Sequence, residues 1–385
     1  MPYLIDSHED MAYNALMFGR NYLRSAGETR RLEEGSPAVE RNGYTLLGWP
    51  DYQRGQVAAI FGTIFTTSTR YASGAWDTMA YKDLAQAGEI MRAQLNYYRR
   101  LCDDHPDQFR LIRTAKDVGE IITPWEQAPA AYVPPKTEQE LEASAKSGEA
   151  QPSITHPVGI LVLMEGLEGI RAPEEMEAWW EMGARIAGPV WAGGRFCGGT
   201  IEKGDFTREG LELLDIMGSL GFTLDISHMN EVSALQALDR YAGPVAASHA
   251  NCRALLKGTE SERQLTDATI RRLIERGGVM GVIPFNKFLK VNWARGGDRQ
   301  SITLRTLAAH IDHICQLAGD ALHAGIGTDF DGGFGWPDVP YEINTIADLQ
   351  KLAAVLGEFG YNEEQVAQIF GGNWQRHLER NLPSS

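Results

Sequence analysis

The chain has 385 residues, 43% of them hydrophobic and 23% charged, a balance suited to a globular protein with a large buried core. Fifty-one acidic residues against 36 basic ones leave a net charge of −15, which argues against a nucleic-acid partner because no basic excess exists to displace phosphate counterions. No apolar run reaches the ~18 residues of a membrane span. Four scattered cysteines (Cys102, Cys197, Cys252 and Cys315) form no CxxC pair and suit reduced thiols better than a disulfide framework. The opening run, MPYLIDSHED, lacks the basic start of a secretory signal, so the expected location is the cytoplasm.

Taken in chain order, strands are predicted over residues 3–7, 57–66, 159–165, 184–191, 222–227, 244–248, 279–284 and 324–329. They read as near-continuous apolar runs, the pattern of strands covered on both faces. Amphipathic stretches over 81–101, 173–186, 207–220, 230–238, 266–275 and 301–317 supply helices between them. Thr207 and Thr266 are expected to cap two of these helices, and Gly221 and Gly277-Gly278 mark handovers from helix to strand. Eight strands with helical crossovers predict an α/β protein, a single (β/α)₈ TIM-type barrel over residues 1–385. An open doubly wound sheet would place a Gly-rich turn after the first strand, where Asp6-Ser-His-Glu-Asp10 stands instead. Residues 21–55 and 123–157 read as surface insertions, the latter with six prolines. A C-terminal helix over 363–379 is expected to break at Gly371-Gly372, with Asn373 as its cap.

The histidines and carboxylates fall at the ends of these strands. His8 and Asp10 close the first, and at i and i+2 in extended chain they point to one side. Glu165, His228, His249 and Asp329 each close another apolar run. In a barrel those ends share one mouth, where active sites are built. Three imidazoles with three carboxylates exceed the needs of one tetrahedral ion and fit two divalent ions that share a bridging carboxylate and hydroxide. Taken singly, each residue has a blander explanation. A histidine after a strand usually belongs to a loop, Glu168 competes with Glu165, and Asp331 competes with Asp329. Together they resist explanation by packing, because buried charge without a partner is rarely tolerated. His105, His156, His310, His313, His323 and His377 lie on helical or loop segments and are read as structural. Trp76, Trp179 and Trp180 are read as packing residues. No Gly-x-Ser-x-Gly turn supports a serine hydrolase.

The runs Asp6-Ser-His-Glu-Asp10, Met164-Glu-Gly166, Leu224-Asp-Ile-Ser-His228, Ser248-His-Ala-Asn251 and Gly327-Thr-Asp-Phe-Asp-Gly332, with the tail Phe370-Gly-Gly-Asn-Trp374, resemble in order the signature of the membrane (renal) dipeptidase family. The resemblance implies a zinc peptidase on an amidohydrolase-type barrel, with a binuclear site at the C-terminal strand ends. It assigns His8, Asp10 and Glu165 to one ion, and Glu165, His228 and His249 to the other. Asp329 takes the proton-transfer role. An arginine of the family engages the substrate carboxylate. Arg263 matches it at a spacing about three residues longer than usual, and Arg253 competes. Where the family has a histidine near the scissile group, this chain has Trp191, which donates one N–H and cannot become charged. Loss of such a donor costs a transition state roughly 2–4 kcal/mol, and Arg195 is the candidate to replace it.

The function expected is therefore metal-dependent hydrolysis of a dipeptide or similar small N-acyl amino acid, with two divalent ions, zinc foremost, as cofactors. Trp191 motivates an alternative in which the same barrel acts on a lactone, a cyclic amide or another non-peptide substrate. A non-catalytic metal-binding relative is the third reading. The expected partner is a small dipeptide-like molecule, with no nucleic acid and no membrane. A second copy of the chain, in a homodimer, is the one protein partner considered.

Overall fold

The computed structural model describes residues 1–72, 74–131 and 154–385. Its strands are β1 (Leu4–Glu9), β2 (Val57–Phe65), β3 (Thr67–Ser68), β4 (Ala80–Tyr81), β5 (Phe109–Ile112), β6 (Val158–Glu165), β7 (Ala184–Gly188), β8 (Thr223–Asp225), β9 (Val245–Ala246), β10 (Met280–Val282) and β11 (Ala324–Ile326). Eight of them lie side by side in the order β10-β11-β1-β2-β6-β7-β8-β9, every pair parallel. A parallel bridge between Ala247 and Met280 joins the two ends, so the sheet curls into the expected eight-stranded α/β barrel. All eight barrel strands are those anticipated from apolar runs. The reason is visible in their burial: every residue of β1 and β6, and all of β2 but Phe65, is buried.

One strand was not anticipated. β5 pairs with the lower half of β6, Phe109 opposite Val158 through Ile112 opposite Leu161, and β7 takes over the same edge from Val162 to Glu165. Its four residues include the exposed Arg110, too short and too interrupted to read as a covered strand. β3 and β4 form a separate parallel pair.

Helices end where their punctuation directs. Thr207 caps Arg208–Leu220 through Gly210 N–H, and Gly221 in the left-handed region (φ 92°) stops it. Thr266 caps Asp267–Glu275 in the same way. The helix read over 173–186 is shorter, a 3₁₀ turn at Pro173–Glu175 and a helix at Met176–Glu181, because Ala184 already belongs to β7. The C-terminal segment does not break at its glycines. Glu363–Ala367 runs through a π turn at Gln368–Gly372 into Asn373–Asn381. Asn373 caps nothing. Its amide donates to the carbonyls of Ala321 (2.7 Å) and Ala324 (2.8 Å), fastening the helix to β11.

Residues 21–55 carry regular structure of their own. They form helices Ala26–Glu33, Pro37–Asn42 and Trp49–Gly55, and they bury Tyr22, Leu46, Leu47 and Tyr52. Their anchor is Asp331. Its Oδ2 accepts from Tyr22 Oη (2.6 Å) and Thr45 Oγ1 (2.9 Å) and pairs with Arg20 (2.9 Å). Of the insertion read at 123–157, residues 132–153 lie outside the described residues. Residues 123–127 finish the helix Ala115–Gln127. Among the described residues all four cysteines are free and buried, and no helix is long and apolar enough to cross a membrane.

Two structural histidines make stability depend on pH. His310 and His377 are buried, and burial above all pushes each down to about 4. The unfolded chain binds a proton near pH 6.5 that the folded chain refuses until about pH 4, so their contribution is complete above ~6.5 and lost as pH falls through that window. Denaturant midpoints measured between pH 7 and 4 are expected to fall, and His377→Gln to flatten the slope by up to one proton. An unchanged slope contradicts this account.

Candidate metal centre

The ends of β1 and β6, and the loops that leave β8, β9 and β11, bring six side chains together. Glu165 Oε1 lies 2.9 Å from His228 Nε2 and 3.3 Å from His249 Nε2, while Oε2 lies 3.7 Å from His8 Nε2. His8 Nε2 is also 3.6 Å from Asp10 Oδ2 and 3.8 Å from Asp329 Oδ1. Three ligand triads result: His8 with Asp10 and Glu165; Glu165 with His228 and His249; and His8 with His249 and Asp329. All six residues are buried, none more than 9% exposed.

Sequence and backbone fix these positions. Glu9 bridges Phe330, and the Asp329 amide donates to the His8 carbonyl (3.0 Å), so the ends of β1 and β11 are sewn together and Asp10 sits beside Asp329. His228, Asp329 and Asp331 all adopt positive φ (67°, 57° and 64°), a conformation that costs a non-glycine residue about 1–3 kcal/mol and is retained where surrounding structure over-determines it. Gly327 admits the closest approach: a Cβ there would strike the Ser248 carbonyl and Ser7 Oγ. An outer layer of hydrogen bonds orients the ligands. Asp6 accepts from Thr328 N (2.7 Å) and Oγ1 (2.6 Å) and from His8 N (3.3 Å). Asp225 accepts from the amides of Ser227 and Ser248 and from Ser248 Oγ. Ser248 Oγ, having donated to Asp225, accepts from His249 Nδ1 (2.7 Å), which leaves the Nε2 lone pair of His249 bare.

That arrangement fits cations. The Nε2 atoms of His228 and His249 are 2.9 Å apart, and a bare lone pair there needs a positive charge to share. His8 Nε2 and Asp10 Oδ1 are buried without any hydrogen-bond partner. Burial, then the charge of Arg263, pushes His228 down to about 4; burial, then His8, holds His249 well below its ordinary value. Both rings are thus neutral, as ligands must be. Burial opposes charge on His8, yet the carboxylates of Glu165 and Asp10 raise it well above its ordinary value. A cation bound there would displace the proton of His8, not the ring. Burial raises Asp10 to about 6.

The remaining candidates separate cleanly. Burial first, with Asp10 and Glu165 adding to it, raises the Asp329 carboxyl well above the carboxylate range, while Asp331 is occupied with Arg20, Tyr22 and Thr45. Glu168 stands outside the triads, and burial pushes it up to about 8. Arg263 is 4% exposed and none of its three guanidinium nitrogens has a partner; its guanidinium carbon lies 5.3 Å from the Phe288 ring centroid. Arg253 instead faces Glu231 at 3.9 Å. Trp191 reaches the site, its ring 6.0 Å from that of His228. Arg195 does not. Its donors are taken by Glu209 and by the carbonyls of Ile170 and Arg171, so it cannot stand in for a missing donor at the centre. None of the six histidines read as structural enters a triad. Ser248, Asp6 and Asp225 went unnoticed as orienting groups, although a carboxylate inside an otherwise apolar strand was the signal for both acids.

A cavity of about 240 Å³ opens on Asp10, Glu165, His228 and Asp329. Tyr13, Phe65, Trp191, Phe285 and Phe288 are among its walls.

The membrane dipeptidase model, peptidase family M19, matches residues 126–381. The chain belongs to this family of metallopeptidases. It is 30% identical over 214 residues to an uncharacterized protein from the pqqA 5′ region of Klebsiella pneumoniae, covering 53% of this chain and 75% of that one. An uncharacterized dipeptidase of Schizosaccharomyces pombe is 32% identical over 176 residues, 46% of this chain but 39% of its own length. In fold, the chain is similar to a Rhodobacter sphaeroides metallopeptidase solved with a phosphinate mimic of L-Ala-D-Ala, with TM-score 0.72, 22% identity and 99% coverage of each chain. The matched family segment starts after β1, so it is the barrel that adds His8 and Asp10 to the site.

If Ser248 orients His249, Ser248→Ala is expected to weaken zinc affinity about 10–100-fold, measured by competition with a chromogenic chelator. Unchanged affinity contradicts the orienting role.

Proposed function

We propose that the protein hydrolyses the amide bond of dipeptides or similar small N-acyl amino acids, using two divalent metal ions, zinc foremost. One observation carries the reading: the two oxygens of Glu165 face different sets of ligands, Oε1 toward His228 and His249 and Oε2 toward His8. In this reading His8, Asp10 and Glu165 hold one ion and Glu165, His228 and His249 the other. Bound there, such ions acidify water toward neutrality and polarise a carbonyl.

The chain's own groups do the rest. Asp329 accepts the proton of the attacking water at its carboxylate and returns it to the departing amine, a task suited to a carboxyl whose proton affinity burial has raised. Arg263 binds the substrate carboxylate through paired N–H donors, the role left open to a buried guanidinium with no partner. Phe288, which also lines the cavity, lies beside that guanidinium. A cavity of about 240 Å³ lies just below the roughly 300–1,000 Å³ usual for ligand pockets and suits a molecule of two residues rather than a longer peptide. Four buried free thiols support a reducing compartment such as the cytoplasm.

Trp191 favours a second reading, in which the same centre opens a lactone or cyclic amide. Hydrolysis of neither L- nor D-terminated dipeptides, with turnover of such rings, would select it.

Asp329→Asn is expected to keep its metal content by elemental analysis while kcat for a dipeptide falls about 10²–10⁴-fold. Normal turnover by that variant would remove Asp329 from the mechanism. Arg263→Ala is expected to raise KM for a free dipeptide far more than for its C-terminal amide, as steady-state kinetics on the pair would show. An equal effect on both contradicts the carboxylate contact.

A further inference from the structure

We propose that the cavity selects a substrate whose amino-terminal residue is aromatic or of similar apolar bulk, and that Trp191 and Phe65 set this preference. The proposal rests on the dipeptidase reading above and adds to it the class of side chain.

Strand register places both residues. Phe65 is the last residue of β2 and lies opposite Glu165, while Gly188, the last of β7, lies opposite Glu165 on its other side, three residues before Trp191. The shared carboxylate of the metal centre is thus flanked on one strand by Phe65 and on the other by the segment that carries Trp191. Phe65 is held rigidly there: its amide donates to Gln94 Oε1 (3.0 Å) and its carbonyl accepts from Gln94 Nε2 (2.5 Å), with Gln94 wholly buried. Paired strands stand about 4.8 Å apart, so a substrate bound beside Glu165 has a flanking group within reach of the Phe65 ring.

From the metal centre the rings continue as a wall. Trp191 lies 6.0 Å from His228, Phe65 meets Trp191 edge-on at 5.2 Å, and Tyr13 follows Phe65 at 6.0 Å. None of the three aromatic residues is fully buried, unlike the large rings of the core. Apolar faces left accessible inside a cavity recover their hydration cost only when an apolar group covers them. The wall offers little to a polar side chain. Trp191 has one donor and no acceptor, Phe65 has neither, and the Tyr13 hydroxyl already donates to Asp77 (2.8 Å). Arg41, the cation of this cavity, lies over Trp76 at 4.2 Å.

Direction along the substrate follows from Arg263. It rests on Phe288, which contacts Phe285, and no described ring contact links that pair to the Trp191–Phe65–Tyr13 wall. With the carboxylate half drawn toward Arg263, the amino-terminal half is the part left for the wall.

The test is steady-state kinetics of the zinc-loaded enzyme on two series, Gly-Ala with Phe-Ala, and Ala-Gly with Ala-Phe, each with L and D residues at the carboxyl position. The expected kcat/KM for Phe-Ala exceeds that for Gly-Ala at least tenfold, within the range that apolar pockets deliver. Trp191→Ala and Phe65→Ala each reduce this ratio by about fivefold or more and leave the Ala-Phe to Ala-Gly ratio where it was. A Phe-Ala to Gly-Ala ratio near or below one in the unaltered enzyme overturns the proposal while the dipeptidase reading stands. A change confined to the Ala-Phe series overturns the assignment of ends. Hydrolysis of no dipeptide in either series sinks the dipeptidase reading and this proposal with it.

Discussion

Glu165 carries a negative charge into a place that water scarcely reaches. It ends β6, the strand that pairs with β2, β5 and β7, and it is 7% exposed. A carboxylate so placed is tolerated only when every oxygen is met by positive charge or a donor. Burial drives its proton affinity up, but the charge of His8 and contacts from His228 and His249 outweigh burial and hold it well below the carboxylate range. Three imidazoles from three separate strand ends must therefore arrive at one point. The parallel barrel is the architecture that delivers them, because all its strands finish at the same mouth.

Around that carboxylate the structure spends stability on position. Left-handed backbone at His228, Asp329 and Asp331 is unfavourable in isolation, and it persists because Asp6, Asp225, Ser248 and Thr328 tie the adjoining backbone and rings in place. Asp331 shows how far this support extends. It lies two residues from Asp329, and its links to Arg20, Tyr22 and Thr45 make residues 21–55 part of the site's foundation. A rigid frame of this kind keeps ligand atoms converged and leaves the neighbouring cavity free to determine what is bound.

Much of this was readable in the sequence because burial and charge leave opposite marks. The eight barrel strands are covered on both faces and so appear as apolar runs, and an acid or imidazole at the end of such a run, as at Glu165 or His249, stands out. β5 left no mark, because a short strand with an exposed Arg110 has no apolar run to read. The buried residues of 21–55 are hard to read, because charged residues are interleaved with Tyr22 and Tyr52, whose burial depends on tertiary contacts with distant residues. Arg195, the candidate to replace the missing donor, is claimed by Glu209, fourteen residues on. Nor does local sequence reveal the ring wall, since Tyr13 lies on the helix Met11–Phe18, Phe65 ends β2 and Trp191 follows β7, and they meet only when the barrel closes.

The central claim is that Glu165 is shared between two cations. Anomalous diffraction from zinc-soaked crystals, recorded above and below the zinc absorption edge, tests it most directly. The account predicts two peaks, one bounded by His8, Asp10 and Glu165 and the other by Glu165, His228 and His249. A single peak that leaves one oxygen of Glu165 without metal, or no peak among these side chains, would contradict it.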